Sequence, residues 1–358
     1  MARPIAKPTY ALKSSQRHYP EQHSYPIGPV ELLSAIPSQQ SNPSQAPLFF
    51  AHGGFGCAEI WILYMQFVES GIPCYAVSYR GHGKSWYPGF WQLCFMRRHS
   101  MAEDLTAGVK HVEKIEGERR GVQEKVRVIP EAHSTGGALS QYALSRGMIK
   151  VHSYCMFAAV PGFGSFGCYQ FWALAAIPNF YYRLFHPKYL MATTKQIYDA
   201  FFTPWTPTPV VLSLERLLSP YESTLRPMRG LFKFVTGPDV LSSITGWTSR
   251  PSTSGNKDSE ARQVSQNLSV LADEHDVLCT RTILEDAAMR YRAVFFRMVE
   301  MGKLDGVKES DLVSGKEKGV RFRVVGCGAS YAESCGVGEG GCGDLGVVRA
   351  VVGRFEES

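Results

Sequence analysis

The chain has 358 residues, of which 44% are hydrophobic, 12% aromatic and 20% charged, which excludes a disordered or fibrous polymer and suits one large domain or two smaller ones. The 38 basic and 32 acidic residues leave a net charge of +6 with no long single-sign block and no basic stripe interleaved with aromatics, so no nucleic-acid partner is expected. Nine cysteines without a CxxC pair, in a chain too large to need stapling, point to mostly free thiols and a reducing compartment, and with no targeting signal read in the sequence the default expectation is a cytoplasmic location.

Residues 1–27, rich in Pro, Ser and Tyr, read as an arm, and their basic start lacks the apolar stretch of a signal peptide. VELLSAI at 30–36 fits an edge strand and SNPSQ at 41–45 a turn. PLFFA at 47–51 is a short apolar strand that ends in HGGFG, followed by a helix over 59–70 with Ile60, Leu63, Tyr64 and Phe67 on one side. CYAVSY at 74–79 is the next strand and runs into RGHGKS. Ser100, with Glu103 three residues on, predicts a capped helix start continuing toward Glu116. VRVIPEA at 126–132 reads as a strand, 135–147 as a helix and HSYCMFAAV at 152–160 as a strand.

The rhythm then breaks for about a hundred residues, with aromatics crowding 163–203, a PWTPTP breaker at 204–209, then LERLLSPYE and a Ser/Thr/Gly/Lys-rich loop at 248–262. An insertion this long should carry helices of its own and cap something. The core pattern resumes with the strand NLSVLA at 267–272, the turn DEHD, a helix from Thr282 to about Met301 and the strand VRFRVV at 320–325. Apolar strands alternating with helices predict an α/β fold with a mostly parallel sheet covered on both faces. The expected organisation is an arm at 1–27, core at 28–160, a helical cap at 161–262, core again at 263–325 and a glycine-rich tail at 326–358.

EAHSTGG at 131–137 sets Ser134 between a predicted strand and a predicted helix, with Ala132 where the usual nucleophile motif has Gly and Gly136 as the second small position. Together with HGG at 52–54 after its strand and YRGHGKS at 79–85 after the next, this arrangement resembles the serine-nucleophile, capped alpha/beta-hydrolase superfamily, including its fungal and bacterial members, over roughly residues 47–325. The resemblance implies that Ser134 Oγ attacks a carbonyl while the amides of Thr135 and of Gly54 or Phe55 receive the oxyanion. It implies Asp276, in ADEHDVL, as the acid; Asp273 and Glu274 are nearer the strand end and suit an exposed turn.

The family order then calls for a histidine after the final strand. All ten histidines lie at or before His275, and the chain instead continues GCGASYAESCGVGEGG. One choice of synonymous codons for Gly328 to Gly340, read one nucleotide later, gives Gly-His-His-Met-Gln-Asn-His-Val-Glu-Trp-Glu-Arg, which resembles the family's terminal segment and begins an amphipathic helix. A frameshift, misplaced splice boundary or sequencing error from about residue 326 is therefore expected. His52, His82, His133 and His275 are not reassigned as the base: His52 suits shaping of the oxyanion loop, His82 and His133 structural roles, and His275 stands beside the acid.

Phe163, Phe166, Tyr169 and Trp172 are expected to line an apolar substrate site. No HExxH and no tight Cys/His ligand set are present, and HGGFG after the first core strand lacks the GxGxxG order and shows no ribose-binding acid, so neither a metal nor any other cofactor is expected. No uninterrupted apolar stretch of 18 residues occurs, so no integral membrane segment is expected. The sequence thus reads as a serine hydrolase for a lipophilic ester, lactone or thioester, with peptidase and acyltransferase chemistry open and oligomeric state undetermined. The competing reading is a hydrolase-fold binding protein, or pseudoenzyme, without a base.

Overall fold

The computed structural model describes residues 15–18, 29–37, 45–123, 125–169, 191, 193–202, 206–223, 225, 230–251, 262–312 and 318–325. Its strands in chain order are β1 (Ser15–His18), β2 (Glu31–Ala35), β3 (Leu48–Ala51), β4 (Cys74–Ser78), β5 (Ile129–His133), β6 (Tyr154–Phe157), β7 (Ser249–Pro251), β8 (Arg262–Val264), β9 (Leu268–Asp273) and β10 (Val320–Val325). Its helices are α1 (Phe90–Cys94), α2 (Arg98–Arg120), α3 (Ser134–Ser145), α4 (Thr194–Phe201), α5 (Thr208–Leu217), α6 (Gly237–Ser242) and α7 (Arg281–Glu300).

Eight strands form one sheet in the order β1-β2-β4-β3-β5-β6-β9-β10, while β7 and β8 pair separately. The β1–β2 and β2–β4 pairs are antiparallel and every pair from β4 to β10 is parallel. Consecutive residues go to opposite faces: Phe49, Val77, Ala132 and Met156 join a core with α2, α3 and α7, whereas Phe50, Ala76, Ile129 and Phe157 join a core on the other side. Burial on both faces suits the apolar runs of β3, β4 and β6, while β5 buries Glu131 and His133 as well.

The helix expected over 59–70 is present as Ala58–Ser70 and winds as a 3-10 helix. At three residues per turn, Ala58, Trp61, Tyr64 and Phe67 stack on one side and face the second core, while Ile60 turns toward the insertion. The expected cap at Ser100 is also corrected: α2 starts at Arg98, with Arg97 as its N-cap and no side-chain cap. Arg98 is buried with its guanidinium 3.7 Å from the Phe234 ring centroid, so packing carries the helix beyond the local capping signal. Within the expected arm, β1 pairs with β2, which is therefore not the sheet edge.

Residues 161–262, expected as a helical cap, contain α4, α5, α6 and β7. Met191, Ile197, Val211, Leu214 and Leu218 form a third cluster with Phe55, Cys57 and Ile60 of the core. Thr193 and Gln196 make a reciprocal capping box that starts α4. Helices α4 and α5 thereby pack on the loop that follows β3.

Candidate active site

Strand β5 ends at His133 and α3 begins at Ser134, whose φ of +50° is left-handed. The amide of Ser134 donates to the Ala158 carbonyl at 3.1 Å, and its own carbonyl accepts from the Val160 amide at 2.9 Å. Gly136 lets α3 approach β3: a Cβ there would run into the carbonyl oxygens of His52 and Ala51. One at Gly137 would collide with Ala159. Ala132 is fully buried, and its methyl group joins the first core.

The loop after β3 lies against this turn, since a Cβ on Gly53 would stand 2.9 Å from Ser134 Cβ and 3.4 Å from its Oγ. His52 fastens the loop, with Nδ1 2.7 Å from the Gly53 carbonyl and Nε2 accepting the Tyr79 amide at 3.2 Å. The amides of Gly54 and Thr135 have no hydrogen-bond partner among the described residues. The Thr135 hydroxyl is likewise buried without a partner among them. Phe55, the other expected oxyanion donor, is committed elsewhere: its amide donates to Glu222 Oε2 at 3.0 Å. Its carbonyl accepts from the Ser219 amide at 2.7 Å, and the residue is held at φ +59°.

Glu222 went unmarked in the sequence. It is buried, comes from the insertion and also meets His82 Nε2 at 3.1 Å and the Ser223 amide at 2.8 Å. The partners that define it, Phe55 and His82, are 167 and 140 residues distant in the chain, and no local pattern points to them.

Asp276 follows β9 and lines the same small cleft, of about 50 Å³, as Ser134, His133, His275, Phe201 and Phe202. Its Oδ1 accepts the amides of Leu278 at 2.7 Å and Cys279 at 2.9 Å, and its Oδ2 has no partner among the described residues. Burial pushes its carboxyl above the usual carboxylate range, against the pull of those two amides. Asp273 is held instead at the end of β9, where its Oδ1 accepts the His275 amide at 2.8 Å. His133 is buried between the rings of Trp61 and Phe157, and burial lowers it to about 4. No histidine follows β10 in the sequence, and residues 326–358, where the altered tail is expected, lie outside the described residues.

The expected aromatic lining is not what the cleft carries. Phe163 packs on Tyr291 with ring centroids 4.6 Å apart, Tyr169 packs against the first core and Phe166 is 65% exposed, so none of the three reaches Ser134. Trp172 lies outside the described residues. The cleft takes Phe201 and Phe202 at the end of α4, which belong to the same aromatic-rich stretch of sequence.

Among the described residues no cluster of His, Cys, Asp or Glu is placed to hold a metal ion, and no helix is long and apolar enough to cross a membrane. In fold the chain is similar to an esterase from Thermogutta terrifontis (13% identity, TM-score 0.54, covering 96% of this chain and 97% of that one) and to a carboxyl esterase from Bacillus coagulans (12%, 0.52, 96% and 96%). It is also similar to carboxylesterase CesB from Bacillus subtilis (15%, 0.51, 88% and 85%). No curated protein matches it by sequence. The alpha/beta hydrolase family profile matches residues 48–302, and with that span, this strand order and a serine on the turn after β5, the chain belongs to the alpha/beta hydrolase family.

Proposed function

We propose that this fold serves a serine esterase in which Ser134 is the nucleophile, Asp276 the acid, and the amides of Gly54 and Thr135 the oxyanion donors. One observation carries the reading: a serine held at φ +50° stands beside two amides without a partner among the described residues, with a carboxylate in the same cleft. Donors already fixed in place do not reorganise as the tetrahedral oxyanion develops, and losing one typically costs ~10²–10³ in turnover. Phe55 supports the hole from behind, because its amide is occupied by Glu222. Phe201 and Phe202 give the cleft an apolar wall that suits a lipophilic acyl or alkyl group, and the three structural relatives are named as esterases.

A serine hydroxyl needs a base to take its proton, and a histidine bridging Ser134 and the open Oδ2 of Asp276 is the group the tail of this chain does not supply. In this reading the tail differs from that of the active protein by a shift of frame near residue 326. The second reading, a hydrolase-fold protein that binds without turnover, rests on the same missing histidine. Assaying p-nitrophenyl ester turnover and fluorophosphonate labelling side by side, on this chain and on the frame-restored chain, separates the two. Labelling of the restored chain that vanishes in Ser134→Ala supports the esterase. Inert Ser134 in both chains sinks it, and equal turnover by both overturns the role given to the tail.

A further inference from the structure

Cys168 and Cys279 are 111 residues apart in sequence, yet their sulfurs lie 3.8 Å from each other and both side chains are buried. Each is fixed by its surroundings. The Cys168 amide donates to the Ser165 carbonyl at 3.0 Å, and both the amide and hydroxyl of Ser165 donate to the Gly230 carbonyl, at 3.2 and 2.6 Å. Between them, Gly167 rests on Ile283 in the first turn of α7, so closely that a Cβ would stand 2.9 Å from Ile283 Cδ1. Cys279 precedes that helix by two residues, lines the cleft with Ser134, and gives its amide to Asp276 Oδ1.

We propose that Cys168 and Cys279 are a redox modification site, closing to a reversible disulfide that ties the start of the insertion to the loop carrying Asp276. A disulfide needs its sulfurs about 2.05 Å apart, so the approach required is roughly 1.8 Å, within reach of small rotations about the two side chains. The oxidant is a peroxide, small enough to enter through the cleft that Cys279 lines. The Cys279 sulfur takes one peroxide oxygen, giving a sulfenic acid and one water. The Cys168 sulfur then attacks the Cys279 sulfur, the S–O bond breaks and a second water leaves. Two thiols thus lose two electrons and two protons while one hydrogen peroxide becomes two waters. The hydrogen bond to Cys168 together with burial keeps the Cys279 thiol protonated beyond its usual range, so an excess of peroxide is the appropriate probe.

The test uses the full chain and requires no turnover, so its outcome is separate from that of the esterase reading. Protein held in excess hydrogen peroxide is denatured with N-ethylmaleimide, digested without reductant and mapped by mass spectrometry. The expected result is a linked peptide containing Cys168 and Cys279, absent before oxidation and removed by dithiothreitol. In Cys168→Ser, Cys279 then stops at a sulfenic acid that dimedone traps. Recovery of both cysteines as separate maleimide adducts after peroxide, linkage of Cys279 to a different cysteine, or its conversion only to sulfinic acid overturns the proposal.

Discussion

Ser134 and Ala158 both sit at positive φ, +50° and +41°, and are joined by a hydrogen bond from the serine amide to the alanine carbonyl. Each left-handed non-glycine residue stores about 1 kcal/mol or more that the surrounding structure must offset. Ser134→Gly is therefore expected to raise unfolding stability by about 1 kcal/mol, whereas Ser134→Ala leaves it within about 0.5 kcal/mol. Urea denaturation of the two variants checks this, and a glycine variant no more stable than the alanine variant would mean the turn is unstrained.

Gly136 and Gly54 are close in space but differ in what a methyl group would meet. At Gly136 a Cβ runs into two backbone carbonyls, at Gly54 into nothing nearer than 3.6 Å. Gly136→Ala is expected to cost about 3 kcal/mol or to abolish folding, since the clash is with backbone, while Gly54→Ala stays within about 0.5 kcal/mol. Circular dichroism melts of both proteins distinguish these outcomes, and similar melting points would refute the contrast.

Glu131 and His133 alternate along β5 and respond to pH in opposite directions. Burial raises the Glu131 carboxyl from 4.5 to about 7, and a hydrogen bond with Cys155 draws it partly back. The native state thus holds this proton more tightly than the unfolded chain. Its contribution is full below about pH 4.5 and is lost as pH rises through about 7, on the order of 3 kcal/mol. Burial lowers His133 from 6.5 to about 4, so its contribution is lost as pH falls across that window. Glu131→Gln should gain on the parent protein from about pH 4.5 and level off above 7, leaving the histidine slope exposed between 4 and 6.5. Urea denaturation at pH 4.5, 6 and 8 measures it, and a constant difference between the proteins contradicts the assignment.

Removing the Glu222 carboxylate leaves the Phe55 amide and His82 Nε2 without their acceptor. Buried polar groups orphaned in this way cost several kcal/mol, so Glu222→Ala is expected to lose about 3 kcal/mol. Glu222→Gln keeps one carbonyl oxygen and should lose less. Equal losses in the two variants, read from chemical denaturation, would show that packing and not the hydrogen bonds sets the cost.

Strands β3, β4 and β9 were legible because burial on both faces favours apolar runs, whereas β10 lies at the sheet edge with Arg321 and Arg323 only half-buried; the strand-to-helix turn at Ser134 was legible from the strand and helix patterns on either side of it. Backbone pairing with β2 brings Ser15–His18 into the sheet, and SQRH has no apolar pattern to announce it. The aromatic stretch signalled apolar surface but not its direction: Phe163 turned to Tyr291 in the core, while Phe201 turned to the cleft. Capping chemistry at Ser100 was outweighed by the stacking of Arg98 on Phe234, a partner 136 residues away. Contacts of that span leave no trace in local spacing, which is also why Glu222 was missed.

Both backbone groups of Phe55 are bound from the inserted segment, the amide by Glu222 and the carbonyl by Ser219. The insertion is consequently not an exchangeable module. Replacing residues 161–262 by a foreign segment would leave the loop after β3 with two stranded hydrogen-bonding groups at Phe55, so any such exchange requires transplanting the Ser219–Glu222 stretch together with HGGF.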